Sequence, residues 1–108
     1  VAGMVSLAHR ASGILMFLAM PFMVYLLDLS VQSEQGFEQA MAMLQQPLLM
    51  AVEIVFVWAL AHHLFAGIRF LLIDADICVD KKSATKTAWL VMSLAALVVL
   101  IALVGMLL

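Results

Sequence analysis

Three long apolar stretches occupy most of this sequence of 108 residues. They cover approximately residues 6–29, 47–73 and 87–108, and each exceeds the roughly 18 residues that mark a candidate membrane-spanning helix. Strands of a membrane barrel would alternate apolar and polar residues, but LVVLIALVGMLL at residues 97–108 shows no alternation. We therefore predict an all-α membrane protein with three transmembrane helices, folded as a single domain over residues 1–108.

The overall composition also indicates a membrane environment. Hydrophobic residues make up 68% of the chain and charged residues only 11%, whereas about 45–50% of an average soluble protein is apolar. The formal net charge of −2 gives no basis for binding nucleic acid. The one cysteine, Cys78, cannot form an internal disulfide, and we expect it to be a reduced thiol.

Two polar links separate the apolar stretches. The first link begins near Asp28 and leads into residues 33–44, where apolar side chains on one side predict a short amphipathic helix. Pro47 suits the first turn of the second span, because its missing N–H would have no intrahelical partner there. The second link covers residues 74–83. Pro21 lies inside the first span, where a membrane helix tolerates a kink.

The positive charges predict how the chain is oriented. Arg10 stands at the start of the first span, and the first link contains no Lys or Arg. Three lysines flank the second link, namely Lys81, Lys82 and Lys86. The positive-inside rule therefore puts the N-terminus and the second link in the cytoplasm, and three spans leave the C-terminus on the outer side.

His63 is the first candidate for chemistry, because ionisable side chains inside a span usually face a bundle interior, a cofactor or a water-filled path. One interpretation is a hydrogen bond to a neighbouring helix, and the other is axial ligation of haem iron. Gly67 at i+4 and Phe70 at i+7 share the face of His63. Gly67 would give a flat macrocycle clearance beside its ligand, or it would allow two helices to pack closely.

His62 and Arg69 are seven residues apart and share a different face of the same helix. Adjacent helical positions point about 100° apart, so His62 and His63 cannot both ligate one iron. We expect His62 to make a polar contact at a helix interface. Arg69 lies near the inner end of the span, where it can snorkel to the headgroups. Alternatively, its guanidinium can bind a haem propionate or a carboxylate of a partner chain.

A second polar cluster opens the first span in the stretch SLAHRASG, residues 6–13. Ser6 and Arg10 are at i and i+4, Gly13 continues their face at i+7, and His9 adjoins it. A hydroxyl, a cation and a small residue together suit a quinone carbonyl or a propionate. The alternative is a helix start in which an interfacial Arg10 only fixes the topology.

The two clusters, in this order on a three-span chain, resemble the cytochrome b membrane-anchor subunits of succinate dehydrogenase (succinate:quinone oxidoreductase, respiratory complex II). The resemblance covers essentially the whole chain and includes GFEQA at residues 36–40 of the first link. The positions that carry it are Ser6, His9, Arg10, Ser12, Gly13, His63, Gly67, Ile68, Arg69 and Asp74.

The resemblance implies a role for several of these residues. His63 matches the axial ligand of haem b. Ser6 and Arg10 match residues that line the ubiquinone site beside the iron–sulfur subunit, and His9 and Arg10 match positions near the haem propionates. The positions of Gly67 and Arg69 on the second span suggested haem contacts above, so the predicted haem contacts are together His9, Arg10, Gly67 and Arg69.

The resemblance also implies partners. The family works as a heterotetramer of a flavoprotein, an iron–sulfur protein and two small membrane anchors, and the second anchor supplies the other axial histidine. We expect three helices that pack with this partner into a haem-binding bundle in the lipid of a bacterial cytoplasmic (inner) membrane, with the C-terminus periplasmic. Haem b would be shared with the partner and ubiquinone would be the substrate, so the chain alone is not expected to be catalytically complete.

Three other functions stay open at this point. They are a homodimeric haem b electron carrier, a non-redox membrane anchor or assembly subunit, and the anchor of a fumarate reductase.

Phe70 is where the sequence departs from the family pattern, which commonly has a histidine directly after Ile-Arg and near a propionate. The chemistry of Phe70 excludes that contact, so we expect Arg69, His9 or the partner to replace it. Family members usually carry a longer upstream segment, and we therefore also expect residues to precede Val1.

Overall fold

A computed structural model describes residues 1–77 and 79–108. Its four α-helices are α1 (Ala2–Gln32), α2 (Glu34–Leu44), α3 (Pro47–Asp74) and α4 (Lys81–Leu107), and the described ranges contain no strand. The three longer helices are each long and apolar enough to cross a membrane. The predicted all-α fold with three candidate spans is therefore confirmed. Cys78, with the expected reduced thiol, lies outside the described residues.

The helices are longer than the hydrocarbon core requires. α1 has 31 residues, which at 1.5 Å per residue makes it about 46 Å long, against roughly 30 Å for the core of a bilayer. The molecule is accordingly elongated, with principal extents of 55 × 27 × 17 Å. The helix ends therefore reach the headgroup regions, where polar side chains are tolerated.

A tight corner joins α1 to α2. Ser33 is extended and ends α1, and its hydroxyl accepts a hydrogen bond of 2.9 Å from the backbone N–H of Gly36, which caps α2. Gly36 is buried, and a Cβ on it would overlap the backbone carbonyl of Leu29. The predicted short helix in the first link is confirmed, and the absence of a side chain at Gly36 lets it fold back against α1.

The second link is formed by two capped helix ends. After α3, Asp76 adopts a left-handed conformation with φ of 59°. The N–H of Ile77 bonds the carbonyl of Leu72 at 2.8 Å, and the N–H of Asp76 bonds that of Ile73 at 3.0 Å. This pair of bonds is a Schellman motif, in which two otherwise free carbonyls at the helix end are satisfied.

Asp80 caps the N-terminus of α4, which begins at Lys81, before the predicted apolar stretch. Its carboxylate accepts a hydrogen bond of 3.1 Å from the N–H of Ser83, as N-cap residues do. This bond lowers the pKa of Asp80 below its ordinary value. The stabilisation is therefore present above the ordinary carboxyl pKa and is lost as the pH falls through the lowered one.

Small residues hold the three long helices together. α3 packs against both α1 and α4, and the buried core cluster consists of Val5, Ala66, Ala88 and Val91. Small side chains let membrane helices approach closely. In α1 only Val5 and Ser12 are buried, both near its start, whereas α3 buries five residues and α4 three. α1 therefore presents most of its apolar surface to lipid or to another chain.

Candidate functional site

His63 lies where the middle of α3 meets the first turns of α1. Its Nδ1 is 3.2 Å from the backbone carbonyl oxygen of His9 and 3.3 Å from Oγ of Ser12. The Ser12 hydroxyl itself donates to the same His9 carbonyl at 2.8 Å. A carbonyl oxygen can only accept, so the neutral imidazole carries its hydrogen on Nδ1 and its lone pair on Nε2.

Gly13 allows the His63 ring to come this close to α1. A Cβ at position 13 would lie 3.1 Å from Cε1 and 3.4 Å from Nδ1 of His63. The adjacent residues Ser12 and Gly13 thus supply an acceptor and a clearance for one imidazole. Both residues were part of the motif found in the sequence. The contact of Ser12 with His63 could not be predicted, because His63 lies on another helix.

His9 stacks on His63 in this structure. The ring centroids are 4.2 Å apart and the planes differ by 7°. Phe70 meets the His9 ring edge-on, at 5.2 Å and 74°, and a Cβ placed on Gly67 would be 3.7 Å from His9 Nε2. The three positions predicted to share one face of α3, His63, Gly67 and Phe70, all meet His9.

Two open grooves meet at His63. One, of about 400 Å³, is lined by apolar side chains of α1 and α3, among them Met16, Met20, Phe56 and Leu60. The other, of about 390 Å³, is lined by His9, Gly67 and three aliphatic residues of α3. Volumes of this order are typical of sites for small molecules and cofactors.

Ser6 and Arg10 lie one turn apart on α1, with Ser6 half-buried and Arg10 exposed. Within residues 1–77 and 79–108, neither side chain has a hydrogen-bond partner. The structure therefore does not join them to His63, and both side chains are available to a ligand or to another chain.

His62 is a contact between helices, as predicted. It is 2% exposed, and its Nε2 is 3.3 Å from the backbone carbonyl oxygen of Val5 on α1. Its ring stacks on Trp58 of the preceding turn, with centroids 5.3 Å apart. This confirms the expectation of a polar contact at a helix interface.

Arg69 ties α3 to α4. The side chain is 5% exposed, so it does not extend to the headgroups as a snorkelling arginine would. Its Nε donates to Thr87 Oγ1 and its Nη2 donates to the carbonyl of Ala84, both at 3.2 Å, and the guanidinium lies 5.8 Å from the centre of the Phe70 ring. Sequence reasoning missed this role; Thr87, a polar residue at the start of the third apolar stretch, was the available signal.

Glu53 is a second residue that sequence reasoning did not single out. It is a carboxylate within the apolar part of α3, and its Oε2 is buried without a hydrogen-bond partner among the described residues. The lone acidic residue in the second apolar stretch was the signal. Ionisable groups in spans are rare and usually face a bundle interior or a partner.

The fold and the site define a class, namely helical membrane proteins with a buried histidine between packed helices. The chain matches over residues 1–103 the family described as the succinate dehydrogenase/fumarate reductase transmembrane subunit. The chain belongs to this family, which confirms the resemblance inferred from the two motifs.

A curated relative is similar to part of the chain. The succinate dehydrogenase cytochrome b556 subunit of Coxiella burnetii (strain RSA 493 / Nine Mile phase I) is 41% identical to it over 71 residues. The match covers 64% of this chain and 56% of the relative. The matched region thus spans little more than half the length of that protein.

Proposed function

We propose that the chain is the haem b-binding membrane anchor of a succinate:quinone oxidoreductase, with residues 1–108 forming a single membrane-anchor domain. It would hold the flavoprotein and iron–sulfur subunits at the membrane and contribute to the site of ubiquinone reduction. The observation that carries the proposal is the contact of 3.2 Å between His63 Nδ1 and the His9 carbonyl. Metal-ligating histidines almost always donate their other ring N–H to such an acceptor.

The residues around His63 fit a haem. Its Nε2 is left with the lone pair, and no described residue hydrogen-bonds that atom. The ring of His9 lies 3.7 Å from a Cβ placed on Gly67, so a flat group would take the space beside Gly67 once the His9 ring turned aside. When bound, haem b would supply a one-electron redox centre. His63 would ligate it, Gly67 would give clearance, and His9 and Arg10 would contact its periphery. Arg69 would join them only by giving up its bonds to Thr87 and Ala84.

A partner anchor would complete this site. The chain offers one convincing axial ligand, and adjacent His62 is committed to Val5. The uncovered apolar surface of α1 supports a second small membrane subunit that packs beside it and supplies the other axial histidine. The name of the relative, a cytochrome b556 subunit, also supports haem of the b type.

Ser6 and Arg10 would bind the quinone. Electrons from succinate would arrive through the iron–sulfur subunit, and negative charge would develop on the quinone oxygens. The hydroxyl of Ser6 and the guanidinium of Arg10 are donors that stabilise such charge when they are already in place. Both side chains lack hydrogen-bond partners among the described residues, which supports their availability.

The arrangement of charges supports an inner-membrane orientation with the N-terminus cytoplasmic and the C-terminus periplasmic. Contacts of His9 with His63 and of Arg69 with Thr87 put the start of α1, the end of α3 and the start of α4 at one end of the bundle. Arg10 and the lysines of the second link therefore share that end, which would face the cytoplasm.

Purification through a tag on this chain tests the haem proposal. We expect a flavoprotein, an iron–sulfur protein and a second anchor to copurify, with the optical spectrum of haem b. His63→Leu should lose or shift that spectrum, and the neighbouring variant His62→Leu, the matched control, should keep it. An unaltered spectrum in His63→Leu would contradict the proposal. A colourless complex of normal size would favour a non-redox anchor, and bis-histidine haem in the chain purified alone would favour a homodimer.

Steady-state assays of the same complex test the quinone site. We expect Ser6→Ala and Arg10→Leu each to lower quinone reduction roughly tenfold or more, because one donor to developing charge is lost. Haem content and the reduction of an artificial acceptor at the flavoprotein should stay normal. Leu7→Ala, an exposed residue on the same turn, is the control. Unchanged quinone kinetics in both variants would rule this site out.

A further inference from the structure

A cavity of about 270 Å³ lies between α1, α3 and α4 and has no part in the function proposed above. Each helix contributes two residues, and together they are Met4, Ala8, Trp58, His62, Met92 and Ala96. On a helical wheel, Met4 and Ala8 fall on the side of α1 opposite to Ser6 and Arg10. His62 likewise points about 100° away from His63 on α3. The cavity is therefore separate from both proposed sites.

His62 gives this cavity a defined hydrogen-bonding character. Its Nε2 is 3.3 Å from the carbonyl oxygen of Val5, which can only accept, so the neutral ring has its hydrogen on Nε2 and its lone pair on Nδ1. No described residue hydrogen-bonds Nδ1. Among the described residues, Glu53 Oε2 is the one side-chain atom that is both buried and without a hydrogen-bond partner. Because Nδ1 of His62 also lacks a partner, it cannot be fully buried, and part of its surface is accessible. His62 lines the cavity, and Nδ1 is its free hydrogen-bond acceptor.

The other walls favour an aromatic ring. Trp58 stacks on His62 with an interplanar angle of 22°, and both aromatic rings line the cavity. Met4 and Met92 supply thioethers, which make favourable contacts with aromatic rings. The lining side chains are apolar apart from the neutral imidazole of His62 and the indole of Trp58, so the ligand would be neutral. Met4 is 64% exposed and Ala96 is also exposed, so the cavity opens between α1 and α4.

We propose that this cavity binds a neutral phenol, the hydroquinone ring included, which enters from the membrane and donates its hydroxyl hydrogen to Nδ1 of His62. An apolar cavity of about 150 Å³ holds benzene, so the volume here accommodates a substituted ring. The acceptor selects a ring with a hydroxyl over the same ring without one, because an unpaired polar atom would otherwise be left beside the ligand.

Photoaffinity labelling of the intact complex in membranes tests the proposal. The probe is a phenol that carries a diazirine, and the matched probe is its O-methyl ether, which has the same ring without the donor. We expect mass spectrometry to map the phenol to peptides containing Met4, Trp58 or Met92, with labelling roughly fivefold above that of the ether, the effect of one hydrogen bond. An unlabelled monophenol and an unlabelled hydroquinone are then added in separate experiments as competitors. Loss of labelling by the phenol probe with either competitor supports the site and shows which ring binds.

Two variants separate the site from non-specific labelling. Ala96→Phe fills the cavity from α4 and leaves the His62 side chain unchanged, and it should abolish labelling while the complex assembles normally. His62→Phe keeps an aromatic ring but removes the acceptor, so it should reduce labelling by the phenol to the level of the ether. Equal labelling by phenol and ether in the unaltered chain would overturn the proposal, as would labelling that persists in Ala96→Phe.

Discussion

Two adjacent residues of α1 position the imidazole of His63 in different ways. Ser12 Oγ, at 3.3 Å from Nδ1, adds an acceptor beside the His9 carbonyl. Gly13 provides space, since a side chain at that position would press on Cε1. The orientation of a metal-binding histidine commonly depends on such surrounding groups. The Ser-Gly pair therefore acts on the proposed ligand without contacting iron.

The variant Gly13→Ala tests this positioning. Its Cβ would lie 3.1 Å from His63 Cε1, so the ring must shift, and we expect the midpoint potential or the low-spin signals of the haem to change. A tight contact of this kind also costs about 1–3 kcal/mol of stability. Gly3→Ala on the same helix is the control, because a Cβ there meets nothing within 4 Å. If both variants show the same spectra and potentials, Gly13 has no positioning role.

The residues of the site were predictable to different degrees from the sequence. The helix spacing correctly separated His62 from His63 and put His62 at an interface. The partners of Arg69 were not predictable, because Ala84 and Thr87 belong to a segment that only the folded bundle brings near. The stacking of His9 on His63 was missed for the same reason. Spacing determines faces of one helix, whereas contacts between helices depend on their register.

The helices themselves were largely predictable, and their ends were less so. The length of an apolar run reflects the thickness of the bilayer that it crosses, so the three spans could be predicted from the sequence. The apolar runs could not locate the start of α4 at Lys81, because that end depends on the cap by Asp80 rather than on hydrophobicity. The end of α3 depends on the left-handed Asp76. Asp tolerates that conformation better than most residues, but the sequence alone does not show that it is adopted.

The corner between α1 and α2 depends on the absence of a side chain at Gly36. A Cβ in Gly36→Ala would overlap the backbone carbonyl of Leu29, which cannot move as a flexible side chain could. We expect α2 to be displaced and the complex to lose about 2 kcal/mol of stability or more. A lower thermal midpoint and faster proteolysis at the corner would report this change. Gly105→Ala, where a Cβ meets nothing within 4 Å, should leave both measurements unchanged, and equal behaviour of the two variants would refute the packing role of Gly36.

As a whole, the chain has a polar end and an extensive apolar surface. The site residues of α1 and α3 gather at the end where α4 begins, as the contacts of His9 and Arg69 require. Large apolar side chains stay exposed along all three long helices, which is far more than a soluble monomer normally exposes. Lipid and further subunits would cover these surfaces.

The orientation of this molecule in the membrane is open to a direct test. Starting from a Cys78→Ser variant, single cysteines are introduced by Gln35→Cys in α2 and by Val79→Cys in the second link, both at exposed positions. Because positive charges gather around the second link, we expect it to be cytoplasmic. A membrane-impermeant maleimide should then label the Gln35 variant in cells with a permeabilised outer membrane. It should label the Val79 variant only after the inner membrane is opened. The reverse pattern would show that the polar end faces the periplasm, and reduction of quinone by cytoplasmic iron–sulfur clusters at Ser6 and Arg10 would then be impossible.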